Sequence, residues 1–160
     1  MEAVRKSDAG SLSRYLEGGG NVHLSNPATG RTLLHVACRQ GCTEIVTLIL
    51  SHGGRPAATT LRHLSPLHLA AHEGYLEISR LLLEAWAPVD DRDRAGNTPL
   101  HMAARKGHTD IVRLLMQCGA NKNAVEKCGW SALHFAAWNG YARVARILLR
   151  AGADASVSSV

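Results

Sequence analysis

Residues 96–108 read Gly96-Asn97-Thr98-Pro99-Leu100-His101-Met102-Ala103-Ala104-Arg105-Lys106-Gly107-His108. Gly96 can supply the positive φ of a tight turn. Thr98 carries the side-chain oxygen wanted at a helix N-cap, and Pro99 then sits at the first helical position, where its missing N–H costs nothing. The spacing predicts a short helix through Lys106, stopped by Gly107 in the left-handed conformation. A second helix is expected from Thr109 to Gln117, with Ile111, Leu114 and Leu115 on one face. Gly119 ends it, and the polar or small residues 120–128 lead to the next turn. Neither helix is long enough to be stable alone.

The same unit recurs. Thr32-Leu33-Leu34-His35, Ser65-Pro66-Leu67-His68, Thr98-Pro99-Leu100-His101 and Ser131-Ala132-Leu133-His134 follow one another at a spacing of 33 residues. Each precedes an alanine (Ala37, Ala70, Ala103, Ala136) and a glycine (Gly41, Gly74, Gly107, Gly140) at fixed offsets. The second helices repeat as faithfully. Ile45, Ile78, Ile111 and Val144 align, as do Leu48, Leu81, Leu114 and Ile147, and Ile49, Leu82, Leu115 and Leu148. Units that cannot bury their apolar stripes alone must stack, so the chain is a solenoid.

Composition agrees. The chain has 160 residues, 46% of them hydrophobic, which is ample for a core, and 4% aromatic, so that core must be built from Leu, Ile, Val and Ala. No apolar run reaches the roughly 18 residues of a membrane span. The start, Met1-Glu2-Ala3-Val4-Arg5-Lys6, lacks the apolar stretch of a signal peptide. The four cysteines are therefore expected as reduced thiols, in the cytoplasm or nucleus. A net charge of +5 and a pI near 9.3 bear on partners rather than on fold.

The repeated stretch resembles the ankyrin-repeat motif, G-x-TPLHxAAxxGH, over residues 20–155. The resemblance implies an all-α ankyrin-repeat solenoid, an L-shaped stack of helix-turn-helix units with projecting hairpin loops. Its expected units are a degenerate N-terminal capping repeat at 1–29, repeats at 30–62, 63–95 and 96–128, and a C-terminal repeat at 129–160, all in one domain. Three departures carry expectations. His63 replaces a turn glycine (Gly30, Gly96, Gly129), and the connection from Arg55 to Arg62 lacks the acid found at Asp93 or Glu126, so that hairpin should be distorted or mobile. Trp86 replaces the helix-ending glycine of Gly53, Gly119 and Gly152, so that helix should end differently. Either Arg143, Arg146 and Arg150 make the final helix soluble enough to act as its own cap, or the chain is expected to be part of a longer array.

No catalytic, cofactor-binding or metal-binding residues emerge. His35, His68, His101 and His134 are one repeated position, and histidines 33 residues apart cannot share an ion. They are expected to hydrogen-bond backbone in the adjoining turn. His68 and His72 stand four apart but lack the HExxH order and a third ligand. Cys38, Cys42, Cys118 and Cys128 show no C-x-x-C spacing. Cys38 lies one turn from His35 without an orienting third group. Phosphate-cradling glycine motifs are absent. Asn123 matches only partly the hydroxylation site of ankyrin-like hairpins and reads as a turn asparagine.

The resemblance also implies a partner surface. Relatives turn the hairpin tips and the exposed end of each first helix toward a concave face. Here those positions supply Arg31, Arg39, Leu61, Arg62, Leu64, His72, Arg94, Asn97, Arg105, Lys106, Lys127, Trp130, Trp138 and Asn139. Arginine and tryptophan are the residues most enriched at binding hot spots. The expected function is a non-catalytic, monomeric protein-interaction module or adaptor binding a partner protein, in particular an acidic segment with an apolar anchor. Alternatives are an inhibitor subunit of a kinase-like enzyme, which residues 65–73 do not favour because they show no shortened helix, and a weak nucleic-acid binder, for which no reading motif is present. Ser158-Ser159-Val160 resembles a ligand for PDZ domains.

Overall fold

The computed structural model describes residues 1–5 and 8–155. Among these, ten helices fall into five pairs: α1 (Glu2–Arg5) with α2 (Ala9–Glu17), α3 (Leu33–Gln40) with α4 (Thr43–Ser51), α5 (Pro66–Glu73) with α6 (Leu76–Glu84), α7 (Pro99–Lys106) with α8 (Thr109–Gln117), and α9 (Ala132–Trp138) with α10 (Ala142–Arg150). The first helices pack in series as an inner row, and the second helices form an outer row. The architecture is the all-α solenoid expected. Extended pairing among the described residues is limited to isolated bridges, Ser25 with Thr32 and Val125 with Ser131. None of the described helices is long and apolar enough to cross a membrane.

Each inner helix begins with the same device. Thr32, Ser65, Thr98 and Ser131 are the N-caps, and the histidine three residues on completes a reciprocal capping box. The cap backbone N–H donates to the imidazole Nδ1 at 3.2, 3.2, 3.0 and 3.1 Å. Nδ1 is then an acceptor, which fixes the proton on Nε2. That Nε2–H donates across the unit boundary. His35 reaches the Leu64 carbonyl at 2.9 Å, His68 that of Asn97 at 2.9 Å and His101 that of Trp130 at 3.1 Å. One side chain thus starts a helix and fixes the next unit's position. Glycine serves the opposite end of the inner helix. Gly107 caps α7 at φ 76°, and a Cβ there would stand 2.7 Å from the Tyr141 ring of the following unit.

Burial follows the sequence stripes. Leu33, Leu67, Leu100, Ile45, Ile78, Ile111, Ile49, Leu82, Leu115 and Leu148 are buried, with Ala37, Ala70, Ala103 and Ala136 between the inner helices. Val4, Leu12 and Leu16 extend this core into α1 and α2, so the weak N-terminal match is a helix pair. Every buried side-chain nitrogen and oxygen among the described residues has a hydrogen-bond partner, as a packed stack requires.

Two expectations are corrected. The hairpin containing His63 is regular. His63 adopts φ 59°, the left-handed value its glycine counterparts take. Thr60 stands in for the missing acid: its Oγ1 accepts from the N–H groups of Arg62 (3.3 Å) and Leu64 (3.1 Å). Asp93 does the same for Ala95 and Asn97, and Glu126 for Cys128 and Trp130. Any side-chain oxygen that reaches two turn amides suffices, and a charge is not needed. At Trp86 the helix ends as in the other units. Trp86 takes φ 63°, and α6 closes through Ala85 N–H to Leu81, just as α8 closes through Cys118 N–H to Leu114.

Two predictions follow from these geometries. Trp86 is 90% exposed, so its left-handed backbone is strain without packing in return. Trp86→Gly should raise the unfolding free energy by about 1 kcal/mol, read from the urea midpoint, whereas a fall would mean that the indole holds the stack. Burial pushes the pKa values of His35, His68 and His101 down. A group depressed in the folded state leaves stability intact above its unfolded pKa and weakens it as pH falls toward the folded one. Urea midpoints should therefore be flat above, and decline below, about pH 6.5, and a midpoint rising on mild acidification would refute the neutral, buried imidazoles.

Candidate concave binding face

The hairpin tips are tied into a ladder. Leu61 N–H donates to the Thr29 carbonyl, Arg94 N–H to Arg62 and Lys127 N–H to Ala95, at 2.9–3.0 Å. Tip side chains are therefore held at a fixed repeat beside the inner helices. Between tips and helices runs a groove of about 470 Å³, whose lining includes Arg31, Arg39, Arg62, Leu64, His72, Arg94 and Arg105. A second hollow of about 400 Å³ continues it past Arg31 and Arg39 toward Met1. The structure thus brings half of the expected partner residues to one recess.

Electrostatically the recess is cationic. Arg31, Arg39, Arg62, Arg94 and Arg105 make no ion pair among the described residues. Its acids are already engaged. Asp93 accepts from its own turn amides, and Glu73 meets His72 at 3.2 Å.

An aromatic cluster closes the C-terminal end. Trp130 lies 5.5 Å from Trp138 and 5.3 Å from Phe135, centroid to centroid. The Arg105 guanidinium stands 5.6 Å over the Phe135 ring and donates to the Met102 sulfur at 3.1 Å. Arg105 therefore belongs to both parts, the cationic groove on one side and the aromatic cluster on the other. Trp138 is 78% exposed, while Trp130 is half-buried and forms its backing.

The remaining expected residues divide. Leu61 projects from its tip, 62% exposed. Lys106, Lys127 and Asn139 are exposed nearby, and Asn139 Nδ2 donates to the Phe135 carbonyl at 2.8 Å. Asn97 is a correction. It is 7% exposed, its amide is held by both carboxylate oxygens of Asp93, and its carbonyl receives His68. It braces the hairpin and is not available to a partner. Sequence reasoning also missed the floor of the groove. Val36, Leu69, Met102 and Phe135 occupy one repeat position, directly after the repeat histidine, and are half-buried or buried. The signal was there: an apolar position whose side chain varies from unit to unit while its neighbours do not.

Comparison with known proteins accords with this geometry. A sequence model of the family described as ankyrin repeats (3 copies) matches residues 1–93 and 85–159. The chain belongs to the ankyrin-repeat family. It is also similar to the 2-5A-dependent ribonuclease of Homo sapiens, with 38% identity over 56 residues. That match covers 35% of this chain and 8% of the relative, so the likeness is to a small part of a much longer protein. Ankyrin repeats are generally protein-protein interaction modules.

Other ankyrin-repeat features of the chain are structural here. Asn123 Oδ1 accepts from the Asp154 N–H at 2.9 Å, and Asp90 accepts from the Asn121 N–H one unit earlier. Asn123 thus serves as an inter-unit tie. Cys38 is buried in the core, and burial pushes its thiol pKa far up, which leaves it a neutral packing group beside His35. Among the described residues no group of three His, Cys, Asp or Glu is placed to hold a metal ion. Ser158-Ser159-Val160 lies outside the described residues.

Proposed function

We propose that this ankyrin-repeat chain is a binding module without catalytic activity, whose concave face takes an extended acidic segment of a partner protein. The observation that carries this reading is the continuity of the five arginines without ion pairs with the Trp130–Phe135–Trp138 cluster. A segment lying along the inner helices would set carboxylates against Arg39, Arg62 and Arg105 and seat one apolar side chain beside Trp138. Exposed charges contribute mainly to encounter and orientation, so the apolar anchor would supply most of the affinity. The ladder of tip hydrogen bonds favours this role, because a groove that is already formed need not be ordered on binding.

A reducing setting such as the cytoplasm or nucleus suits the chain, since all four cysteines are free thiols. As an adaptor it would act as a monomer, with the partner occupying the face left open by the inner row.

The test uses a fluorescent Glu-rich peptide with one central leucine as probe. Trp138→Ala should weaken binding by about 1–2 kcal/mol and leave the urea midpoint nearly unchanged, because the side chain is exposed. Arg80→Ala, on the outer row and paired with Glu77 at 3.7 Å, should change neither. Equal affinities for both variants and the parent chain would remove the concave face from consideration.

A further inference from the structure

The outer row carries a second, independent feature. In α4, α6 and α8 the first turn holds an acid: Glu44, Glu77 and Asp110. In α10 the equivalent position is Arg143, and its first turn has no acid. The next outward position runs Thr47, Arg80, Arg113, Arg146, and the last runs Ser51, Glu84, Gln117, Arg150. The final helix has thus exchanged every acid and neutral residue of its outward stripe for arginine.

Within the chain this arrangement is unfavourable. Arg143 sits at the positive end of the helix dipole. Arg143 with Arg146, and Arg146 with Arg150, are like charges at i,i+3 and i,i+4. None of the three, nor Arg113, makes an ion pair among the described residues. End-capping does not account for it. The matching positions of α8 (Asp110, Arg113, Gln117) stay exposed although α10 packs beside them, so a further unit would not cover these positions either.

The four arginines line a cleft of about 720 Å³ between α8 and α10, larger in volume than the concave groove, and Asp110 is the one acid in its lining among the described residues. That volume is in the range of small-molecule sites. Its aliphatic lining (Leu76, Ile111, Ile147) is buried or half-buried, and it offers no exposed tryptophan of the kind that Trp138 gives the concave face. Guanidinium forks that converge on one recess match the oxygens of clustered phosphates, which they grip two at a time. We propose that this cleft binds a compact soluble polyphosphate, several phosphate groups carried on one small scaffold, through Arg113, Arg143, Arg146 and Arg150.

Inositol hexakisphosphate is the probe, titrated calorimetrically into the chain. The parent should bind, more weakly as salt rises. Its amide shifts in NMR should centre on residues 109–113 and 142–150. The double variant Arg143→Asp with Arg150→Gln gives α10 the residues that α8 carries at those positions, so it should fold with an equal or higher urea midpoint. Its affinity should fall by about tenfold or more. Arg80→Ala should bind as the parent does. Absence of binding by the parent, equal binding by the double variant, or shifts confined to the concave groove would overturn the proposal. So would tighter retention on phosphatidylcholine vesicles carrying phosphatidylinositol bisphosphate that the soluble probe does not compete away, which would assign the cleft to a membrane surface. Equal affinity for a poly-glutamate peptide would assign it to an acidic protein.

Discussion

The stack rests on one donor–acceptor pair, the imidazole Nε2–H of one unit and a hairpin carbonyl of the next. Helices of four to nine residues gain little from their own hydrogen bonds, and their stability comes from neighbours. Apolar stripes supply attraction but are non-directional. The histidine adds direction. Its Nδ1 is committed to the cap amide of its own helix, so its Nε2–H can satisfy only an acceptor at one place, and a slipped unit would leave a buried donor and a buried carbonyl without partners. Such orphaned groups cost about 1–3 kcal/mol each, enough to select one register.

Fixed register turns sequence variation into surface design. Arg39, His72, Arg105 and Trp138 are one position of the repeat, seen four times in a row along the concave face. Val36, Leu69, Met102 and Phe135 are another, lying beneath the first. Changing the residue at such a position alters the face locally without disturbing the stack, because the histidines and buried leucines hold the frame. The outer row obeys the same rule. There the substitution of arginine for acid in the last helix recasts the charge of one region while the aliphatic seam, Val144 and Leu148, remains as in the other units.

Most of the fold was legible because its determinants are local and repeated: the Ser or Thr cap, the histidine three residues on, the stop glycine and the helix stripes. What misled was the equation of residue type with backbone state. His63 and Trp86 take the same left-handed conformation as glycine, since the surrounding hydrogen bonds over-determine it at a modest cost. Thr60 replaces a carboxylate because the turn needs an acceptor and not a charge. For the site, the arginines of the groove were readable from repeat position alone. Asn97 was not, because only the structure shows that its amide is spent on Asp93. Nothing in the sequence singled out Phe135, although Arg105 lies on its ring. The cationic cleft between α8 and α10 was hidden for a related reason. Arg143, Arg146 and Arg150 read as a solubilising cap in isolation, and become distinctive only beside their counterparts in the other outer helices.

Nitrogen-15 NMR of the imidazole rings in the full chain addresses the central claim directly. His35, His68 and His101 should hold the proton on Nε2, and that proton should exchange slowly with water and couple through the hydrogen bond to the carbonyl carbons of Leu64, Asn97 and Trp130. His134, whose Nε2 meets no carbonyl among the described residues, should lack that coupling. Protons found on Nδ1 at the first three positions, or ring signals that exchange like those of free histidine, would contradict the account.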